Sequence, residues 1–156
     1  MRRGRKKELT SHLEDYLVVV YEITQKQPAA RVSHIARRMG VSLPSVTNAM
    51  KRLSALGMVN YEKYNLITLT DKGKKHAKSK VAIQERFRNF FKCVMGLEEL
   101  TADKLSRVFS HFVDEKIDQR FRKFYGIMME FDEKSVEELK AFIEESKKLS
   151  GCQKED

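Results

Sequence analysis

Between Ser42 and Arg52 the sequence reads Ser-Leu-Pro-Ser-Val-Thr-Asn-Ala-Met-Lys-Arg, and its polar residues are of two chemical kinds. Ser42, Ser45, Thr47 and Asn48 carry short side chains that both donate and accept hydrogen bonds, which suits the edges of bases in a major groove. Lys51 and Arg52, about a turn further on, offer positive charge to a phosphate backbone, where it sets affinity without reading sequence. Such chemistry requires a helix. The apolar residues Val46, Ala49, Met50, Leu53 and Leu56 keep helical spacing, so the polar set falls on the opposite face. That face holds no carboxylate in a chain that has 22 Asp and Glu. Ser42 is a good N-cap, Pro44 is tolerated in a first turn and itself joins the candidate contact residues, and Gly57 stops the run.

The elements around that helix must aim it. Val32, Ile35, Ala36 and Met39 predict a preceding helix, Gly40 supplies the left-handed residue that ends it, and Val41 plugs the angle between the two. After Gly57 the period becomes strand-like. Residues 58–61 and 66–69 are rich in β-formers and flank Glu62-Lys63-Tyr64-Asn65, which reads as a hairpin with Lys63 at its tip, within reach of an adjacent phosphate. A helix-turn-helix followed by a hairpin is a winged helix. Upstream, Ser11 and Glu14 have capping-box spacing and open a helix that buries Leu13, Tyr16, Leu17, Val20 and Ile23. Downstream, Thr70 caps a long helix that runs to Gly96, Thr101 and Asp114 are expected to cap two more, and a last amphipathic helix spans residues 134–149. A competing reading makes Ser42 and Thr70 only caps and the hairpin only a cover for the core. It leaves the carboxylate-free face unexplained.

Composition agrees. The chain has 156 residues and a net charge of +9 with a pI near 9.6. Residues 1–80 carry 17 Lys and Arg against 6 Asp and Glu, whereas residues 81–156 carry 14 against 16 and hold all nine phenylalanines. The basic half is therefore the polyanion-binding half. The expected architecture is mainly α: a basic arm at 1–7, a winged-helix DNA-binding domain at 8–80 and a helical dimerisation domain at 81–156. Double-stranded DNA and a second copy of the chain are the expected partners. Cys93 and Cys152 form no disulfide framework, which predicts a reduced, cytoplasmic protein, and Cys93 follows an apolar run as a core thiol would. No segment predicts a membrane span or a secretion signal. Without a Gly-rich phosphate loop, H-E-x-x-H or G-x-S-x-G, no motif anchors an enzyme. The rival class is a winged-helix module that binds only protein.

The run Arg31-Val-Ser-His-Ile-Ala-Arg-Arg-Met-Gly-Val-Ser-Leu-Pro-Ser-Val-Thr, then Leu56-Gly-Met-Val-Asn-Tyr-Glu-Lys-Tyr and Leu69-Thr-Asp-Lys-Gly, resembles the diphtheria toxin repressor and manganese transport regulator (DtxR/MntR) family over roughly residues 8–130. The resemblance implies a homodimeric repressor in which each winged helix reads half of a pseudo-palindrome and the C-terminal helices pair. It also implies that Mn(II) or Fe(II) switches DNA binding on. A small departure is Leu66, where the family tends to have glycine in the wing turn; Asn65 tolerates a positive φ and can take over that role.

The metal positions depart further. The family draws ligands from a carboxylate pair in helix one, a histidine after the wing and a glutamate-x-x-glutamate-histidine run. Here Asp15 matches the first carboxylate, but Val18 stands at the second, Gln84 at the histidine, and Ser106, Phe109 and Ser110 at the later run. His111 matches a second histidine that often follows. One carboxylate and one imidazole hold a hard cation poorly, and Phe109 is expected to fill the site with apolar bulk. His12, Asp15 and His111, with Glu14 near them, are the candidates for a rerouted metal site. Three outcomes stay open: constitutive DNA binding, control by an unidentified effector acting on the C-terminal half, and a relocated metal site.

Overall fold

The structure, a computed structural model, describes residues 9–61, 66–130 and 133–150. They form seven α-helices and one three-stranded antiparallel sheet, and the chain divides into two compact units between Ala82 and Ile83. The arm at 1–7, Lys63 and the wing turn at Asn65 lie outside the described residues.

The first unit opens with α1 (Ser11–Thr24), whose N-cap is Thr10 rather than Ser11. The Thr10 hydroxyl accepts from the Leu13 N–H at 3.4 Å, and moving the cap by one residue removes Glu14 from capping-box position. Glu14 instead faces α4 (Asp71–Asn89), where its carboxylate meets His76 Nε2 at 2.9 Å and Lys80 Nζ at 3.1 Å. The Lys80 side chain is only 7% exposed, and a charge that deep persists only when paired. The short strand β1 (Ala30–Arg31) leads directly into α2 (Val32–Met39), which ends at Gly40 with φ of 66°. Val41 returns its N–H to the Ala36 carbonyl at 3.1 Å and packs against the core. Ser42 then caps α3 (Leu43–Ala55), with Pro44 in the first turn.

The sheet runs β1, β3 (Leu66–Leu69), β2 (Val59–Tyr61). Ala30 pairs with Ile67 on one side of β3, and Tyr61 pairs with Ile67 on the other. Two residues are too few to show an alternating pattern, so sequence periodicity does not reveal β1. The core beneath the sheet is aliphatic apart from Tyr16, and it is closed by Leu17, Val20, Ile35, Val46, Met50, Leu53 and Ile67, each essentially inaccessible to solvent.

One corner ties α3, β2 and α4 together. Thr70 gives its N–H to the Met58 carbonyl at 3.1 Å and its hydroxyl to the Gly57 carbonyl at 2.7 Å, while that hydroxyl accepts from the Gly73 N–H at 3.0 Å. Lys72 Nζ adds a bond to the Leu56 carbonyl at 3.1 Å. Gly73 is required for the approach: a β-carbon there would lie 1.9 Å from the Met58 carbonyl oxygen.

The second unit has a different core. Phe87, Phe91, Ile83 and Ala102 are buried, with Phe90, Leu105 and Phe121 packed against them. Phe87 stacks on Phe121 with ring centroids 4.1 Å apart. After α4 the backbone makes a π-helical segment at Phe90–Val94 before Gly96, in left-handed conformation, ends it. The wider turn shifts the helical face by part of a residue, and Cys93 is exposed, not a core thiol. Next come α5 (Glu99–Ser110), α6 (Glu115–Met129) and α7 (Glu133–Ser150). Thr101 is not a cap. The helix starts three residues earlier behind Glu98, where acidic residues rather than a hydroxyl meet the positive end of the helix dipole. Glu99 there is bonded to Lys92, whose ammonium holds the Glu99 carboxyl below its ordinary range. Asp114 does cap α6, accepting from the Ile117 N–H at 2.8 Å. Buried Asp118 of α6 accepts from Arg86 Nε of α4 at 3.0 Å and pairs with Arg122 at 3.1 Å.

In an ordinary helix Gly→Ala stabilises by up to about 1 kcal/mol. At Gly73 the sign reverses, because the obstructing atom is backbone and cannot rotate away. Gly73→Ala is expected to lose about 1–3 kcal/mol, read as a lower urea midpoint at unchanged m-value; a variant as stable as the parent would contradict the close packing of this corner.

Candidate nucleic-acid interface

The polar face of α3 is built by three local devices. Gly40 and Val41 set the angle at which the helix leaves α2, Ser42 fixes its first turn, and the buried row Val46, Ala49, Met50 and Leu53 turns the remaining residues outward. Ser42, Pro44, Ser45, Asn48, Lys51 and Arg52 are exposed, and Thr47 is half-buried. The Ser42 and Ser45 hydroxyls lie 2.8 Å apart, and Ser42 accepts from the Ser45 N–H at 3.4 Å. The structure thus brings all the candidate contact residues of α3 onto one helix end and face; Lys63, the remaining candidate, lies outside the described residues.

No acidic residue occurs in α3. Among the described residues, the side chains of Thr47, Asn48, Lys51 and Arg52 have no hydrogen-bond or ion-pair partner, while Arg38, Lys80, Arg86, Lys92 and Arg107 are all paired with carboxylates. The helix N-terminus adds a partial positive charge at Ser42 to Ser45. Unspent donors, two cations and a helix dipole on one exposed face suit a polyanion with readable edges.

Two residues escaped the sequence reading. Arg37, exposed at the end of α2, stands beside the Arg38 that is bonded to Glu22, and the Arg-Arg pair before Gly40 was the available signal. Leu43, the first residue of α3, is 53% exposed; no sequence signal marks it, because a leucine in helical register reads as core.

The positions that hold metal in the resembled family are occupied differently in each unit. In the first, Val18 is buried, Asp15 is half-buried on α1, and His12 is exposed with its ring edge on Tyr16, centroids 5.0 Å apart. In the second, Gln84 Nε2 donates to Ser110 Oγ at 3.3 Å. The hydroxyls of Ser106 and Ser110, both buried, donate to the carbonyls of Asp103 and Arg107 at 2.8 and 2.7 Å. Phe109 does not fill a pocket; its ring rests against Phe87 and Phe91 and stays 46% exposed. His111 is half-buried at the end of α5. Among the described residues no three His, Cys, Asp or Glu side chains gather where they could hold a metal ion, and no helix is long and apolar enough to cross a membrane.

Residues 8–66 match the family described as iron dependent repressor, N-terminal DNA binding domain. The chain is 30% identical over 137 residues to the HTH-type transcriptional regulator MntR of Oceanobacillus iheyensis, covering 88% of this chain and 92% of that protein. It is 33% identical over 132 residues to MntR of Bacillus pumilus, covering 85% and 90%, and 32% identical over 110 residues to an uncharacterized HTH-type transcriptional regulator of Methanocaldococcus jannaschii, covering 70% and 88%. In structure it resembles the manganese regulator SloR, with a TM-score of 0.66 and 26% identity over 73% of this chain and 53% of that one. It shares the fold of T. acidophilum IdeR, with a TM-score of 0.63 and 21% identity over 81% of this chain and 56% of that one. The chain thus spans about half the length of these solved proteins. These relatives are transcriptional regulators, not enzymes, and they do not favour a winged helix that binds only protein. With nearly all of two MntR proteins covered at this identity, and with the winged helix-turn-helix in place, the chain belongs to the DtxR/MntR family of HTH-type transcriptional regulators and carries that family's DNA-binding domain.

Proposed function

We propose that the protein is a cytoplasmic, non-enzymatic repressor that binds a pseudo-palindromic operator as a homodimer, with residues 8–80 reading DNA and residues 81–156 pairing the copies. The observation that carries this reading is the α3 face, where Thr47, Asn48, Lys51 and Arg52 are without side-chain partners among the described residues and no carboxylate is present. In it, Thr47 and Asn48 contact base edges, Ser42 and Ser45 present the helix N-terminus to a phosphate, and Lys51, Arg52 and Lys63 neutralise backbone. The logarithm of affinity is expected to fall with the logarithm of salt by about 0.9 per phosphate neutralised. Thr47→Ala and Asn48→Ala are expected to weaken a selected operator more than random duplex, and Lys51→Ala to weaken both alike; equal losses from all three in a fluorescence titration would remove the base-contact assignment.

Dimerisation is supported by the outward side of the second unit. Leu100 and Val108 of α5, Phe112 just beyond its end and Ile117 of α6 are 66%, 56%, 77% and 45% exposed, large apolar side chains left in water that a second copy would cover. Two-fold pairing also doubles the few base pairs one recognition helix reaches. Sedimentation at micromolar concentration is expected to give a dimer, and Phe112→Asp to shift it toward monomer. A parent protein that sediments as monomer contradicts the assignment.

The family's metal switch is lost or rerouted in this reading. Of the family's donors only Asp15 and His111 are matched, the amide and two hydroxyls at Gln84, Ser106 and Ser110 are already bonded to one another or to backbone, and a hard cation needs several oxygen or nitrogen donors to replace its hydration. Operator affinity is therefore expected to be the same in chelator and in micromolar Mn(II) or Fe(II). A tenfold tightening by either metal, about 1.4 kcal/mol of coupling, would refute loss of the switch and leave only the rerouted site at Asp15, His12 and His111.

A further inference from the structure

We propose that Leu43 is a specificity-determining residue that reads the 5-methyl group of a thymine in each operator half-site. The inference rests on the reading of α3 as the recognition helix and adds the one kind of contact its polar residues cannot make.

Leu43 is out of place by the logic of the rest of α3. Val46, Ala49, Met50 and Leu53 are all buried, whereas Leu43 is 53% exposed. It contributes little to the core from that position. Its backbone is nonetheless held firmly, between Ser42, whose carbonyl accepts from the Val46 N–H at 3.2 Å, and Pro44, whose ring fixes the next φ. An apolar side chain is thus projected from the first helical residue, the end that penetrates a major groove first.

Its neighbours leave that end short of free polar groups. Ser42 and Ser45 are engaged with each other, hydroxyl to hydroxyl at 2.8 Å and hydroxyl to N–H at 3.4 Å. What the helix tip presents between them is the surface of Leu43 and Pro44. Leu43, Thr47 and Lys51 follow at four-residue steps, so they lie on one row of the helix: an apolar residue, then a short polar one, then a cation. In a major groove only one exposed base substituent is apolar, the C5-methyl of thymine. The order along the row matches a groove read from a thymine methyl through a base edge to the backbone.

The test uses an operator selected from randomised duplexes by the full-length wild-type protein, with each thymine then replaced singly by deoxyuridine, which removes only the methyl. One such replacement per half-site is expected to weaken wild-type binding about fourfold, the value of one buried methyl-sized group. Leu43→Ala is expected to bind the parent operator at least fourfold more weakly and to be indifferent to that replacement, with random-duplex affinity and its salt slope unchanged. Leu43→Met, which keeps apolar reach, is expected to retain the penalty. The inference is overturned if no deoxyuridine matters to the wild type, if Leu43→Ala keeps the full penalty, or if it loses operator and random duplex equally. Absence of salt-dependent DNA binding by the wild type would overturn the reading of α3 itself, a distinguishable failure.

Discussion

The Met58 carbonyl is the point on which the first unit turns. Its oxygen accepts from the Thr70 N–H and lies where a side chain of residue 73 would begin. The last carbonyls of a helix have no partner within it. Here those following α3, at Leu56, Gly57 and Met58, are taken up by Lys72 and Thr70 from the start of α4. The turn that follows α3 is therefore held by the beginning of α4, and the direction of α3 is set at both ends: by Gly40 and Ser42 at its start, by Thr70 and Gly73 just past its finish.

Much of this was legible in the sequence because it depends on residues with few conformational options. Gly40 and Gly57 have positive φ where helices must stop, Ser42 and Asp114 cap where expected, and the strands on either side of the hairpin emerge from β-rich runs. What was not legible depends on partners remote in sequence. Thr10 displaces Ser11 as cap, and Glu14 is then free to serve His76 and Lys80, some sixty residues away. The strand β1 exists only because β3 offers it two pairing positions. Cys93 is exposed because a π-helical segment interrupts a register that a regular helix would have kept. At the site, residue types gave the polar face of α3, but only the structure shows that, among the described residues, its Lys51 and Arg52 are not taken up by carboxylates as Arg38, Lys80 and Arg86 are.

The two units solve the problem of a small core differently. The first closes a largely aliphatic core around a fully buried Tyr16, with Tyr21 and Tyr61 at its margin, and it buries a lysine against Glu14. The second interlocks phenylalanines whose rings meet both stacked and edge-on, as between Phe87 and Phe121 and between Phe90 and Phe121. Around them Asp118 gathers Arg86 and Arg122. Buried ion pairs of this kind add little net stability compared with apolar packing, but breaking one is costly. They act on register: Glu14 can satisfy His76 and Lys80 only if α1 and α4 keep one rotational alignment. The chain thus assigns its carboxylates in two ways, to hold helices in register and to stay away from α3.

That assignment bears on how DNA binding is controlled. Two carboxylates held close on successive turns of a helix repel each other and lose hydration until a cation arrives, and this cost is what makes such a site responsive to metal. Ser106 and Ser110 impose no such cost. Their hydroxyls return to the carbonyls of Asp103 and Arg107 within the same helix, and the Gln84 amide joins α4 to α5 through Ser110. All three are uncharged and satisfied without a ligand, so a divalent cation would gain little by displacing their bonds. The exposed Leu100, Val108 and Phe112 of the second unit respond to something else: the free energy at stake there is the removal of apolar area from water, not the neutralisation of charge.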